Sequence, residues 1–153
     1  NLGEFDFVYC WGVLHHTGNM SKAIDISSSL VNDQGLYIIA IYKKTKFCKI
    51  WKFIKKIYNS NIIIKYFLTL IYVPIITLLF LIKYKKTNVN RGMKVFYDAI
   101  DWLGGYPYES ATSNNIIQSL KGYNLIKIIN DEPPFLFGIF GSGCAEYVFT
   151  KKD

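Results

Sequence analysis

Two adjacent histidines, His15 and His16, are the chain's only imidazole side chains. Because an imidazole gains and loses a proton near neutral pH, such a residue can act as a general base or can orient an acceptor group. Asp98 and Asp101 form a second candidate pair, since a spacing of three places both carboxylates on one face of a predicted helix. Either pair can instead be structural, through hydrogen bonds to the backbone or ion pairs with basic neighbours. His15, His16 and Asp101 are the candidate catalytic residues.

The cysteines do not indicate a metal site. Cys10, Cys48 and Cys144 are far apart in the sequence, whereas zinc sites typically use closely spaced ligands. We therefore predict no bound metal. An odd number of scattered cysteines fits the reducing cytoplasm, which is the location that we predict.

The elements that position these residues follow a strand–helix–strand pattern. Residues 5–10 are rich in β-forming side chains, and their nearly continuous apolar run predicts a strand buried on both faces. A helix is predicted from a cap at Ser21 to about Asp33, and residues 36–42 are a second buried strand. This order, with short connections, predicts a parallel sheet of the α/β class. The tail returns to the pattern, with a helix at 112–120 and strands at 123–129 and 145–149.

The middle of the chain, residues 43–103, has a different character. An amphipathic helix is predicted at 46–58, with lysines on its polar faces, and a third helix at 92–103. Between them, residues 62–82 are almost wholly apolar, have the length of a membrane span and are flanked by lysines. A single span, however, would separate the strands on its two sides, which must share one sheet. We therefore predict a helical insertion or lid at 43–103, whose apolar run is buried or touches a membrane.

Several blocks of sequence resemble class I S-adenosylmethionine (SAM)-dependent methyltransferases. Residues 5–18 (FDFVYCWGVLHHTG) are similar to the fourth strand and following loop of that family, and residues 35–42 (GLYIIAIY) to its fifth strand. Residues 91–93 (RGM) and 101–109 (DWLGGYPYE) resemble a signature of one subgroup, and residues 143–149 (GCAEYVF) resemble its last strand. The four blocks occur in the family's order, and the resemblance extends over nearly the whole chain.

The resemblance implies a Rossmann-like methyltransferase sheet seen from its fourth strand onward, with residues 1–153 as the C-terminal part of one domain. It also implies SAM as the cofactor. Ligands of such sheets bind beyond the carboxyl ends of the strands. The cofactor-binding candidates lie there and are Cys10, Trp11, Gly12, Val13 and His15. The substrate or lid candidates are Arg91, Asp98, Trp102 and Tyr106.

The function implied is methyl transfer to a small-molecule acceptor. Similarity to quinone- and lipid-type methylases, together with the apolar insertion, favours a hydrophobic acceptor. No glycine-rich turn joins a strand to a helix, and residues 138–143 (GIFGSG) precede a strand instead. We therefore expect this chain by itself to be an inactive fragment that binds SAM poorly. The alternatives are a membrane-anchored protein with a span at 62–82 and a non-catalytic α/β binding module.

The charge of the chain bears on its partners. It has 18 lysines and arginines against 11 aspartates and glutamates, a net charge of +7. Because the lysines cluster at helix ends and no nucleic-acid-binding module is recognisable, we do not expect a nucleic acid partner. The lysines beside the run at 62–82 favour peripheral contact with anionic lipid.

Overall fold

The computed structural model describes residues 3–85 and 94–152. The chain divides into two compact units. The first, here called the sheet unit, comprises Asn1–Cys48 and Pro107–Asp153, and the second, the helical unit, comprises Lys49–Tyr106. The helical unit overlaps most of the predicted insertion at 43–103, whose exact limits stay a prediction.

The described residues form four strands, five α-helices and two short 3-10 turns. In chain order these are β1 (Phe5–Trp11), a 3-10 turn (Leu14–His16), α1 (Met20–Ser28), β2 (Val31–Tyr42), α2 (Cys48–Tyr58), α3 (Ile62–Tyr84), α4 (Val95–Gly104), α5 (Ser113–Ser119), β3 (Tyr123–Ile129), a second 3-10 turn (Phe135–Gly138) and β4 (Cys144–Lys151).

The strands of the sheet unit pair in the order β1–β2–β4–β3. β1 and β2 are parallel, and Trp11 pairs with Ala40 near their carboxyl ends. β4 is antiparallel to both of its neighbours, β2 and β3. The predicted α/β class and the parallel strand–helix–strand unit are therefore confirmed.

The core of the sheet unit lies around β2, because its apolar run has a strand on each side. Tyr37, Ile39 and Ile41 of β2 are buried and pack in one cluster with Tyr147 and Phe149 of β4. The burial of such apolar side chains is the main stabilising term of a fold. α1 and α5 contribute Ile24 and Ile116 to the same cluster.

β1 is not buried on both faces as predicted. Phe5, Phe7 and Tyr9 alternate along the strand, so their side chains share one face of the sheet, and all three are about half exposed. On the other face Val8 and Cys10 pack against the core. The prediction that both faces of β1 are buried was therefore wrong. It failed because an apolar strand can have the same composition whether one or both of its faces are covered.

The ends of α1 and β2 also differ from the prediction. The cap of α1 is Asn19, whose side chain accepts a hydrogen bond from the Lys22 N–H (3.1 Å), rather than Ser21. The helix ends at Ser28, and β2 begins at Val31. Leu30 and Val31 are apolar and therefore fit either a helix or a strand. Val31 pairs with Phe5 of β1 and is the first residue of β2.

In the helical unit, α2 presents Trp51, Lys55 and Tyr58 to the interior at steps of four and three. Trp51 lies edge-on to Trp102 of α4, with ring centroids 5.3 Å apart. Lys55 was predicted on a polar face but is fully buried: its Nζ lies 3.8 Å from the centre of the Trp102 ring and donates a hydrogen bond to the Trp102 carbonyl. Lys55 lies on the same face of α2 as Trp51 and Tyr58. Its charge can be buried there because the Trp102 carbonyl and ring take the place of water.

α3 confirms the predicted helix at 62–82. α4 begins at Val95, and residues 92 and 93 of the predicted third helix lie outside the described residues. α3 is the one helix of the described residues that is long and apolar enough to cross a membrane, and among its residues Val73 alone is buried. Of the two predicted alternatives, burial is not what the structure shows, and contact with a membrane stays a prediction.

We expect substitution of Gly35 in β2 to destabilise the sheet unit. A Cβ at Gly35 would lie 2.9 Å from the Asn32 carbonyl oxygen and 2.9 Å from a methyl group of Val31. Gly35→Ala should lower the free energy of unfolding by about 1–3 kcal/mol, the usual cost of overpacking. At the control position Gly122 a Cβ would meet nothing within 4 Å, so Gly122→Ala should cost nothing measurable. Urea denaturation followed by circular dichroism measures both, and equal stabilities would contradict the expected clash.

Candidate functional site

The candidate site begins where β1 and β2 end. Since the two strands are parallel and Trp11 pairs with Ala40, the segment after Trp11 and the segment after Tyr42 leave the sheet at the same edge. The 3-10 turn Leu14–His16 follows β1 at this carboxyl edge. Ligands of open α/β sheets bind at such an edge. The structure therefore places the paired histidines at the edge that the sequence predicted.

The two histidines have different surroundings. His15 is buried, and its ring packs against Tyr42 at the end of β2, with centroids 3.9 Å apart. His16 is half-buried, and its Nδ1 donates a hydrogen bond to the Pro107 carbonyl at 2.7 Å. A carbonyl can only accept, so this bond assigns a proton to Nδ1 of His16 and holds the ring in one orientation. His15 thus supports the turn, and His16 is the histidine that a ligand can reach.

Residues Pro107–Glu109, here called the strap, hold the histidine turn from a distant part of the sequence. The Glu109 N–H donates to the His15 carbonyl at 3.0 Å, beside the bond from His16 to Pro107. The Glu109 carboxylate accepts a hydrogen bond from the Met20 N–H at 2.8 Å. That carboxylate therefore satisfies a backbone donor in the first turn of α1, where a negative charge also interacts favourably with the helix dipole.

The side chain of Tyr108, the middle residue of the strap, belongs to a cluster of aromatic rings and a thiol. Tyr108 is buried, its ring centroid is 5.3 Å from that of Tyr42, and its hydroxyl donates to the Cys48 sulfur at 3.3 Å. Burial raises the pKa of Tyr108, so its hydroxyl stays protonated. Burial also pushes the pKa of Cys48 upward, but hydrogen bonds from Ser110, Thr45 and Tyr108 together outweigh it and leave this pKa below its ordinary value.

The cofactor-binding candidates lie on and after the end of β1. Gly12 has φ +75°, and no atom lies within 4 Å of the place that a Cβ would take, so its backbone is open to close approach. Val13 is exposed and Trp11 is half-buried. Cys10 instead packs against the core, and burial raises the pKa of its thiol. His15 supports the turn, as described above.

The predicted substrate or lid residues belong to the helical unit. Trp102 is buried against Trp51 and Lys55, so it is a core residue of that unit, whereas Tyr106 is exposed. Asp98 and Asp101 lie three residues apart on α4, and Asp101 is exposed. Arg91 lies outside the described residues. The sheet unit by itself brings the histidines, Tyr42 and the strap together.

A cavity of about 700 Å³ opens in the sheet unit, beyond the ends of β2 and β3. Its lining includes Lys43, Phe47, Pro133 and Phe137. The Lys43 Nζ donates hydrogen bonds to two backbone carbonyls, those of Asn130 (2.9 Å) and Glu132 (2.8 Å), and so ties the loop after β3 to the end of β2. Burial lowers the pKa of Lys43. Among residues 3–85 and 94–152 no cluster of His, Cys, Asp and Glu could hold a metal ion.

The fold of the described residues matches that of a solved structure. The chain is similar to the PKMT2 methyltransferase from Rickettsia typhi, with a TM-score of 0.55 and 13% identity over 97% of this chain. A second structure of the same protein, in complex with AdoHcy, has a TM-score of 0.48 and 10% identity over all of this chain. This chain spans 36% of the PKMT2 chain in both comparisons. No protein-family model and no curated protein sequence matches it.

Tyr42, Tyr108 and Glu109 are the site residues that the sequence did not single out. Residues 107–109 lie inside the block that resembles a methyltransferase signature, but that block does not indicate that they contact the histidine turn. The strap reaches the histidine turn across roughly 90 residues of sequence, and local periodicity carries no signal for such a contact.

We expect Glu109 to stabilise the histidine turn through its carboxylate. Glu109→Ala removes the acceptor for the Met20 N–H and should cost about 1 kcal/mol of stability, as loss of a helix cap does. Glu109→Gln keeps a carbonyl acceptor and should cost less. Glu4→Ala, at an exposed acidic position, is the control and should have no measurable effect. Thermal unfolding of the three variants checks the order, and equal midpoints for all three would contradict a capping role.

Proposed function

We propose that this chain is part of an enzyme that transfers a methyl group from SAM to a hydrophobic small-molecule acceptor. The observation that carries the proposal is the histidine turn at the carboxyl edge of a methyltransferase-like sheet. The PKMT2 protein with which the fold is shared is a methyltransferase. The quoted blocks at residues 5–18 and 101–109 support the same reading, because they supply the turn and the strap that meet at this edge.

The residues after β1 suit the methionine end of SAM rather than its nucleotide portion. Gly12 offers backbone with open space beside it, and Trp11 and Val13 flank it with apolar surface. The sequence has no glycine-rich turn between a strand and a helix, the usual site for the nucleotide portion of a cofactor. We therefore expect the 153-residue chain alone to bind SAM far more weakly than the full-length gene product, and to be inactive.

The work of the protein in such a reaction is mostly placement. When bound, SAM supplies a methyl group on a sulfonium that is already a good leaving group, so holding the acceptor in line provides much of the rate. An acceptor hydroxyl or amine must also lose a proton. His16 suits either orienting the acceptor or taking that proton, because its ring is held by the Pro107 carbonyl and is half-buried. Asp101 is the competing candidate, on α4 of the helical unit.

The cavity beyond β2 and β3 supports an apolar acceptor. Phe47, Pro133, Pro134 and Phe137 form the apolar part of a lining that also includes Lys44, Lys46, Asp131 and Glu132, so the aliphatic or aromatic body of an acceptor would lose water against the apolar side chains. It belongs to the sheet unit, like the histidine turn, and it opens near the same edge. The reaction would take place in the cytoplasm, where the chain's cysteines stay reduced.

The test uses the protein at the full length encoded by its gene, methyl-tritiated SAM and a lipid extract of the source cells. We expect tritium to enter an organic-extractable product. His16→Gln should lower kcat by about 100-fold or more, the scale of general acid–base catalysis, and Asp101→Asn should leave it unchanged. Cofactor binding without any transfer would favour a non-catalytic binding module instead. Loss of transfer in Asp101→Asn but not in His16→Gln would contradict the role given to His16.

A further inference from the structure

α3 presents a broad apolar face to solvent. Ile63, Leu70 and Ile82 are each about 70% exposed. Further exposed apolar side chains recur at steps of three and four on the same side of the helix and are Phe67, Ile71, Ile75, Leu78 and Leu81. A contiguous apolar surface of this kind on a folded protein marks a site of contact with a membrane or another molecule.

The opposite side of α3 is already engaged within the helical unit. Val73 is buried, Tyr72 lies edge-on to Trp51 of α2 at 5.5 Å, and the Thr69 hydroxyl is 3.2 Å from that of Tyr58. The buried and exposed positions are therefore on different faces of one helix. The exposed face is left over after the unit has formed its own core.

The charge of the chain is concentrated in the same unit. Residues 49–106 contain ten lysines and arginines against two aspartates, a formal charge of +8. The remaining residues carry eight basic and nine acidic side chains, a formal charge of −1. An excess of positive charge confined to the unit with the exposed apolar helix complements an anionic surface.

α2 arranges part of this charge as a stripe. Lys49, Lys52 and Lys56 are exposed and lie at steps of three and four, so they share one face. Ile50 and Phe53, which are also exposed, lie beside that face. Because α2 contacts α3 through Trp51 and Tyr58, this stripe lies on the side of α2 away from α3, and it contributes long-range attraction rather than contact with the bilayer that α3 faces.

The connections of the helical unit argue against a crossing. The Ala111 N–H donates to the Tyr42 carbonyl and the Lys44 N–H donates to the Ala111 carbonyl, both at 3.0 Å, so the chain leaves the sheet unit and returns to it at one strand end. A helix that crossed once would need a second crossing to return. α2 and α4 have 11 and 10 residues, about half the roughly 20 residues that a bilayer requires.

We propose that the helical unit docks on the surface of a bilayer that contains anionic lipid, with the exposed face of α3 lying in the plane of the interface. The exposed face of α3 supplies apolar contact, and the charge of +8 supplies attraction to the lipid. This proposal rests on residues 49–106 and is independent of the methyl transfer.

The test is flotation of the chain with vesicles of phosphatidylcholine alone or with added phosphatidylglycerol, at low and physiological salt. We expect binding to the anionic vesicles that weakens as salt rises. Leu70→Glu with Leu78→Glu should abolish it, because charge is placed on the exposed face while helix propensity is nearly unchanged. Lys65→Gln, Lys83→Gln and Lys85→Gln together, at three exposed positions on or next to α3, should lower affinity by about 100-fold, since each lysine near an anionic surface contributes roughly a factor of five.

The matched control removes three exposed lysines from the sheet unit, as Lys22→Gln, Lys121→Gln and Lys127→Gln. It should retain most of the binding, and circular dichroism should show that every variant is folded. Equal binding to neutral vesicles, or an equal loss in the control, would overturn the proposal. So would a lipid-free dimer that the Leu70→Glu/Leu78→Glu variant dissociates, because a second copy would then cover the face. Failure of alkaline carbonate to release the protein from cell membranes would show a span instead.

Discussion

The parallel pairing of β1 with β2 is the constraint on which the candidate site depends. Because Trp11 pairs with Ala40, the turn after β1 and the segment after β2 must leave the sheet at one edge, and His15 can then pack against Tyr42 at 3.9 Å. The strap closes this arrangement from outside, with backbone bonds to both histidines and a carboxylate on the first turn of α1. A shift of the pairing by one residue would turn every side chain of β1 to the other face and dismantle these contacts.

Charge and apolar surface are distributed unequally over the two units. The sheet unit is nearly neutral and has a buried core around β2, whereas the helical unit carries the excess of lysines and the exposed helix α3. Its buried lysine, Lys55, shows that this unit also has a specific interior, held by Trp51 and Trp102. The two proposals are chemically compatible, since a hydrophobic acceptor would be most concentrated at a membrane surface.

Much of the fold could be predicted from local patterns, because they depend on neighbours in sequence. The strands at 36–42 and 123–129, the apolar helix at 62–82 and the helix at 112–120 all follow from periodicity and residue type. Which faces of these elements are buried could not be predicted in the same way. The exposed face of β1 and the exposed face of α3 have the composition of buried segments, while Lys55 is buried despite its charge. The roles of Tyr108 and Glu109 arise only when the strap meets a turn about 90 residues away.

The most direct measurement of the central claim is hydrogen–deuterium exchange of the full-length protein with and without SAM. If the histidine turn faces the cofactor, the amides of residues 11–18 should exchange more slowly once SAM is bound. Residues 31–34, at the start of β2 and thus at the opposite edge of the sheet, provide an internal control and should be unaffected. Protection at 31–34 with an unchanged histidine turn would contradict the account.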